Sequence, residues 1–243
     1  MNPVAPSNDA WLLLTRLGEA QVLLPVMAAA LLWLWRSNQA GQVARGWLAS
    51  TAVVATLTTA SKVAFIGFAL GYAPLNFTGI SGHAMFAASV LPVLSVLCAG
   101  EASVKGRRVA TLAGYSLAVL IAYSRLKVGA HSASEAISGY LLGSLASAWV
   151  LRRWHPPMAR PPVWLAAGLA LWMATLPFSA PPSLTHDWVV RLSLAVSDRT
   201  VPYSRWRMHR DHRLQQQRLA PAQARDIARQ PQPVSAHGRH PLN

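Results

Sequence analysis

Charge and cysteine are what this chain has least of. Only 12% of its 243 residues are charged, about half the share usual in a soluble domain, which excludes an ordinary water-facing globule. Cys98 is the single cysteine, so an intrachain disulfide is excluded. It falls inside an apolar run, where it reads as packing and says nothing of redox compartment. No basic stretch precedes Trp11 and no small-residue cleavage site follows it, which argues against a removed signal peptide and for a first span that acts as its own insertion signal. His155, His209, His212, His237 and His240 lack close ligand spacing beyond His209-x-x-His212. No metal and no cofactor is expected.

Apolar sequence is abundant instead, at 53% of residues. A helix needs about 20 mainly apolar residues to cross the hydrocarbon core, and six stretches approach that length: 20–35, 47–71, 82–99, 109–123, 136–151 and 163–180. The expected fold is therefore all-α, a polytopic six-transmembrane-helix bundle over residues 1–184. Residues 185–243 form a second region, read as an interfacial segment and a largely disordered basic tail. Within it Trp188, Val189, Leu192, Ala195 and Val196 share one helical face over 187–196, a length that suits lying in the interface. Beyond about Arg205 the sequence is rich in Arg, Gln, Pro and His and lacks the apolar surface to offset its own ordering entropy.

The net charge of +14 is uneven, with ten arginines and four aspartates from Thr185 onward. In a chain this apolar, anionic membrane lipids are the expected partner and nucleic acid is not. Oligomeric state is not legible. Basic residues mark alternate loops: Arg36 and Arg45, then Lys105, Arg107 and Arg108, then Arg152, Arg153 and Arg160. By the positive-inside rule these loops face the cytoplasm. The loops around Ser81 and His131 then share the outer side of a bacterial-type inner or plasma membrane. Tryptophans at the span ends, such as Trp35, Trp47 and Trp154, fit an aromatic belt.

Two polar clusters stand out at helix starts on that outer side. One runs from Ser124 through Arg125, Lys127 and His131 to Glu135; the other is Ser81-Gly82-His83. His131 and Glu135 stand four residues apart and share a helical face, so the carboxylate can hold one imidazole nitrogen and leave the other free to attack phosphorus. Ser132-x-x-Glu135 also matches a capping box, a structural duty that competes for the same carboxylate. Arg125 can grip two phosphate oxygens through its planar fork. At the other cluster a helix N-terminus attracts anions, with Ser81 available as cap or ligand, Gly82 allowing close approach and His83 placed to protonate a leaving oxygen. Lys62 lies deep in the second span, where a charge is costly and points into a polar cavity. Its expected partner is phosphate, with Glu19 or Glu135 as structural alternatives.

These residues resemble the motifs of the type 2 phosphatidic acid phosphatase family, the PAP2 membrane phosphatases related to vanadium haloperoxidases. The family carries a lysine followed by an arginine and proline, then P-S-G-H, then S-R-x5-H-x3-D. The third motif is matched from Ser124 to Glu135 with full spacing, and the second from Ser81 to His83. The resemblance implies His131 as nucleophile, Glu135 as its orienting carboxylate and His83 as general acid. It further implies Lys62, Ser81, Gly82 and Arg125 as phosphate ligands, with no metal required. Three positions depart from the pattern: Ile80 replaces proline, Glu135 replaces aspartate, and Ala69 stands where the first motif has arginine. Lys127 is a candidate for the missing cation.

The leading expectation is thus a membrane phosphatase acting on a lipid phosphate or diphosphate through a phosphohistidine. The alternative is a weakened or inactive relative that binds lipid phosphate as a scaffold. A haloperoxidase gains little from membrane spans, and no pair of interrupted helices in inverted halves suggests a transporter.

Overall fold

The computed structural model describes residues 7–36, 41–100, 103–153, 161–179 and 185–229. Among them nine α-helices run in order: α1 Ser7–Arg16, α2 Ala20–Arg36, α3 Gly41–Phe68, α4 Gly82–Ala99, α5 Val104–Lys127, α6 Ala133–Arg153, α7 Val163–Ser179, α8 Thr185–Ala195 and α9 Arg205–Arg229. No strand occurs among these residues; one isolated bridge pairs Tyr72 with Phe77.

A helix that is apolar on all sides belongs in the centre of a bundle, and α4 is that helix. Its residues are buried almost continuously from Ala84 to Leu94, and it packs most extensively on α5 and α6. Close approach of α6 depends on two small residues: a side chain at Gly139 would strike the Ser81 carbonyl, and one at Gly143 the Met85 carbonyl. Small residues serve helix contacts in this way where lipid supplies no hydrophobic drive.

Proline inside a helix removes one backbone donor, and the neighbours of α4 supply replacements. Pro92 deprives the Ala88 carbonyl of its partner, and Ser147 Oγ from α6 donates to it at 2.7 Å. Trp47 Nε1 from α3 donates to the adjacent Ser89 carbonyl at 3.1 Å. The arrangement recurs at Pro25 in α2, where Trp172 Nε1 donates to the Val22 carbonyl at 3.2 Å.

Among the described residues, four stretches are long and apolar enough to cross a membrane: Asp9–Arg36, Gly41–Phe68, Gly82–Ala99 and Val104–Lys127. The protein is accordingly a helical membrane protein, but the six-span expectation is not matched in full. The fifth and sixth apolar stretches do form helices, α6 and α7. However, α6 carries Glu135, Arg152 and Arg153 at its ends, and α7 has only 17 residues. The first of the four stretches takes in both α1 and α2, with a break between them at residues 17–19.

The reading of the region beyond Arg205 as disordered needs correction. Residues 205–229 form α9, and 230–243 lie outside the described residues. The sequence estimate required the segment to supply its own core, whereas it borrows one from the bundle. Met208, 5% exposed, packs with Phe65 and Ile66 of α3. Tyr203 meets Phe65 edge to face at 5.5 Å, and its backbone N–H donates to the Ile66 carbonyl at 3.0 Å.

Candidate functional site

A cavity of about 900 Å³ opens at one end of the bundle, and Lys62, Gly82, His83, Arg125 and His131 all line it. Residues of three helices and a turn, spread over some seventy positions, thus meet in one space. Ser81 and Glu135 sit just behind the wall with no exposure.

His131 occupies the turn between α5 and α6, where its own N–H and that of Ala130 both donate to the Arg125 carbonyl. Its Nδ1 lies 2.8 Å from Glu135 Oε2, the pairing that four-residue spacing predicts. The competing capping box forms as well: Ser132 N–H donates to Glu135 Oε2 at 3.1 Å, and Glu135 N–H to Ser132 Oγ at 3.4 Å. One carboxylate oxygen therefore serves cap and histidine together, so the two duties do not exclude each other.

The second oxygen, Oε1, accepts from Thr78 N–H at 2.7 Å and Thr78 Oγ1 at 2.6 Å. Arg205 of α9 then closes the set, with Nη2 2.8 Å from both carboxylate oxygens. Burial alone would raise the Glu135 pKa. The bonds from His131, Thr78, Arg205 and Ser132 outweigh it and hold the value down to about 2. An ionised carboxylate only accepts hydrogen bonds, so Nδ1 of His131 carries the proton and Nε2 keeps its lone pair. Burial also pulls the His131 pKa below its ordinary value, against the Glu135 bond and with help from the Arg125 cation.

Around this centre stand polar groups with spare capacity. Ser81 is the N-cap of α4 but makes no side-chain cap bond, and its buried Oγ has no partner. Arg125 donates through Nη1 to Thr15 Oγ1 at 2.7 Å, while its buried Nε is unpartnered. Lys62 pairs with neither Glu19 nor Glu135 within 4.0 Å; Glu19 instead meets Arg16 at 3.8 Å and Gln21 at 2.6 Å. A substituent at Gly82 would come within 3.8 Å of Lys62 Nζ, so the cation hangs over the start of α4. Unpaired buried donors beside two cations suit an anion with several acceptor oxygens.

The candidate for the missing cation fails here. Lys127 does not line the cavity; its amine lies over the Tyr123 ring, 5.2 Å from the centroid. Ala69 just follows α3 with φ 60° and also stays off the cavity wall. The residue that sequence reasoning missed is Arg205, because nothing local ties it to a carboxylate seventy positions away. Thr78 was missed for the same reason.

A histidine held by a carboxylate thus shares one cavity with a second histidine and two cations. The chain belongs to the PAP2 superfamily, whose family model matches residues 65–159. The match takes in the second and third motifs and leaves Lys62 and Arg205 outside it. The chain is also similar to an uncharacterized 22.5 kDa protein in the cps region of Klebsiella pneumoniae. The two are 38% identical over 141 residues, which cover 58% of this chain and 68% of that protein. No solved structure matches. Membership of this superfamily points to a phosphoric ester hydrolase.

Proposed function

We propose that the protein is an integral membrane phosphatase that hydrolyses a lipid phosphate or diphosphate through a phosphohistidine intermediate. The observation that carries this reading is the convergence of His131, His83, Arg125 and Lys62 on one cavity, with His131 Nδ1 already held by Glu135.

In the first step Nε2 of His131 bonds to phosphorus as the ester P–O bond breaks, and His83 gives a proton to the departing oxygen. Arg125 and Lys62 hold the non-bridging oxygens and offset the charge that gathers on them, with Ser81 and the first amides of α4 as further donors. In the second step water attacks phosphorus, its proton passes to His83, and the N–P bond breaks to release phosphate. Lys62 and Arg125 supply the positive charge, so the reading requires no metal.

The apolar part of the cavity wall, including Leu24, Ala55, Phe65, Ile66, Val189 and Val190, suits a hydrocarbon chain on the substrate. Basic loops at the opposite end of the bundle favour an active site facing outward.

His131→Ala should abolish phosphate release from lipid phosphates by detergent-solubilised protein; retained turnover would sink the mechanism. Ala69, where the family's first motif has arginine, favours a second reading, a phosphate-binding protein without turnover. Tight binding of a phosphate analogue with no hydrolysis across a panel of lipid phosphates would select it.

A further inference from the structure

We propose that Arg205 is a positioning residue of this site, holding the Glu135 carboxylate against His131 and so making the C-terminal helix α9 part of the catalytic apparatus. The inference rests on the phosphatase reading above and deepens it.

The geometry is that of a clamp. Arg205 Nη2 reaches both oxygens of Glu135 at 2.8 Å, while Nη1 donates to the Asn76 carbonyl at 2.9 Å. Nη2 also lies 3.2 Å from Thr78 Oγ1, which itself bonds Glu135. The carboxylate side chain is fully buried and that of the arginine is 36% exposed, so the pair is sheltered at the end that matters. His209, one helical turn along α9, fixes the same loop through Nε2 to Asn76 Oδ1 at 2.8 Å. The clamp therefore has its own anchor outside the cavity.

The sequence departures explain why a clamp is needed. Glutamate has one more rotatable bond than aspartate, so its carboxylate has more freedom to leave the histidine. Fixing that arm from the far side, by Thr78 and Arg205 together, limits it to the position that meets Nδ1. Arg205 is not a stand-in for the arginine replaced by Ala69, because its fork is spent on Glu135 and Asn76 and is not left for a substrate phosphate.

The clamp also sets charge. A carboxylate beside an imidazole favours the protonated ring, which cannot attack. Pairing Glu135 with a guanidinium partly cancels that pull. The other charged or titratable groups on the cavity wall are Lys62 from α3, His83 from α4, Arg125 from α5, His186 from α8, Glu19 between α1 and α2, and Tyr203 just before α9. None of them bonds the His131 ring, which is held by Glu135 behind the wall, so a change in the charge balance of Glu135 is felt first at His131.

The test uses the full-length protein in detergent micelles with Arg205→Ala and Arg205→Lys. For Arg205→Ala, kcat for phosphate release should fall about ten- to hundredfold, the range of a lost charge-assisted contact. KM should stay within about twofold, since substrate contacts remain. The acid limb of the rate profile should move up by about one pH unit. Arg205→Lys should restore the limb but only part of kcat, because it keeps the charge and loses the fork. Nitrogen-15 NMR of labelled His131 should show the same upward shift without any substrate. An unchanged His131 titration in Arg205→Ala overturns the proposal. Equal losses in both variants, with the limb unmoved and the melting temperature lowered, mean a purely structural arginine and overturn it too. Absence of phosphate release by the unaltered protein counts against the phosphatase reading alone, since the titration still decides the role of Arg205.

Discussion

Single residues in this site carry more than one duty, and Glu135 shows how. Its Oε2 caps α6 through Ser132 and holds His131, while its Oε1 binds Thr78. The His131 pairing and the capping box are both legible from short spacing, because His131 and Ser132 stand in the turn that leads directly into α6. Thr78 and Arg205 are not, because contacts across 57 and 70 positions leave no periodic trace. The charge state of His131 follows from its surroundings and has a measurable consequence. Burial lowers its pKa, so the ring is neutral at pH 7 and protonates only below the ordinary value of about 6.5. Glu135, held at about 2, stays ionised throughout. The acid limb of kcat/KM should therefore lie below about pH 6.5, with activity falling as pH drops through it. A limb well above that value would contradict a lowered His131 pKa.

At the scale of elements, Pro25 and Pro92 mark where α2 and α4 rely on their neighbours. Apolar runs announce α2 and α4, yet the donors that repair them come from α6, α3 and α7 and emerge only on packing. Ser147 is the sharpest case, being fully buried, donating to Ala88 and meeting the Tyr115 hydroxyl at 3.0 Å. Ser147→Ala should destabilise the protein by about 1–3 kcal/mol, the cost of a buried carbonyl left unpaired. A thermal shift in detergent measures it, and Ser147→Thr, which keeps the hydroxyl, separates hydrogen bonding from crowding. An unchanged melting temperature for Ser147→Ala would mean that the Ala88 carbonyl finds another donor. Helix α9 teaches the opposite lesson. Its composition looks unable to order, but Met208 enters a cluster with Phe65 and Ile66, and Arg205 enters a buried ion pair. Local sequence cannot report apolar surface contributed by another element.

For the whole molecule the decisive expectation is sidedness. The 18 residues of α4 span about 27 Å at 1.5 Å each, close to the thickness of the hydrocarbon core. His83 at its start and the basic loop after Cys98 should thus lie on opposite faces. Lys105 is exposed at the start of α5. In a Cys98→Ser background, Lys105→Cys should react with a membrane-impermeant maleimide in inside-out vesicles and stay protected in right-side-out ones. Labelling with the reverse pattern would turn the site toward the cytoplasm.

Composition by itself determined that this is a helical membrane protein, because a surface with so few charges is stable only against lipid. Motif spacing by itself paired His131 with Glu135, because the two stand four residues apart across the start of α6. Tertiary structure alone decided that Lys62, His83 and Arg125 share a cavity with that pair, and that Arg205 clamps it. Those contacts join elements far apart in the chain, and only the packing of α4 at the centre, with α9 folded back on α3, brings them within reach.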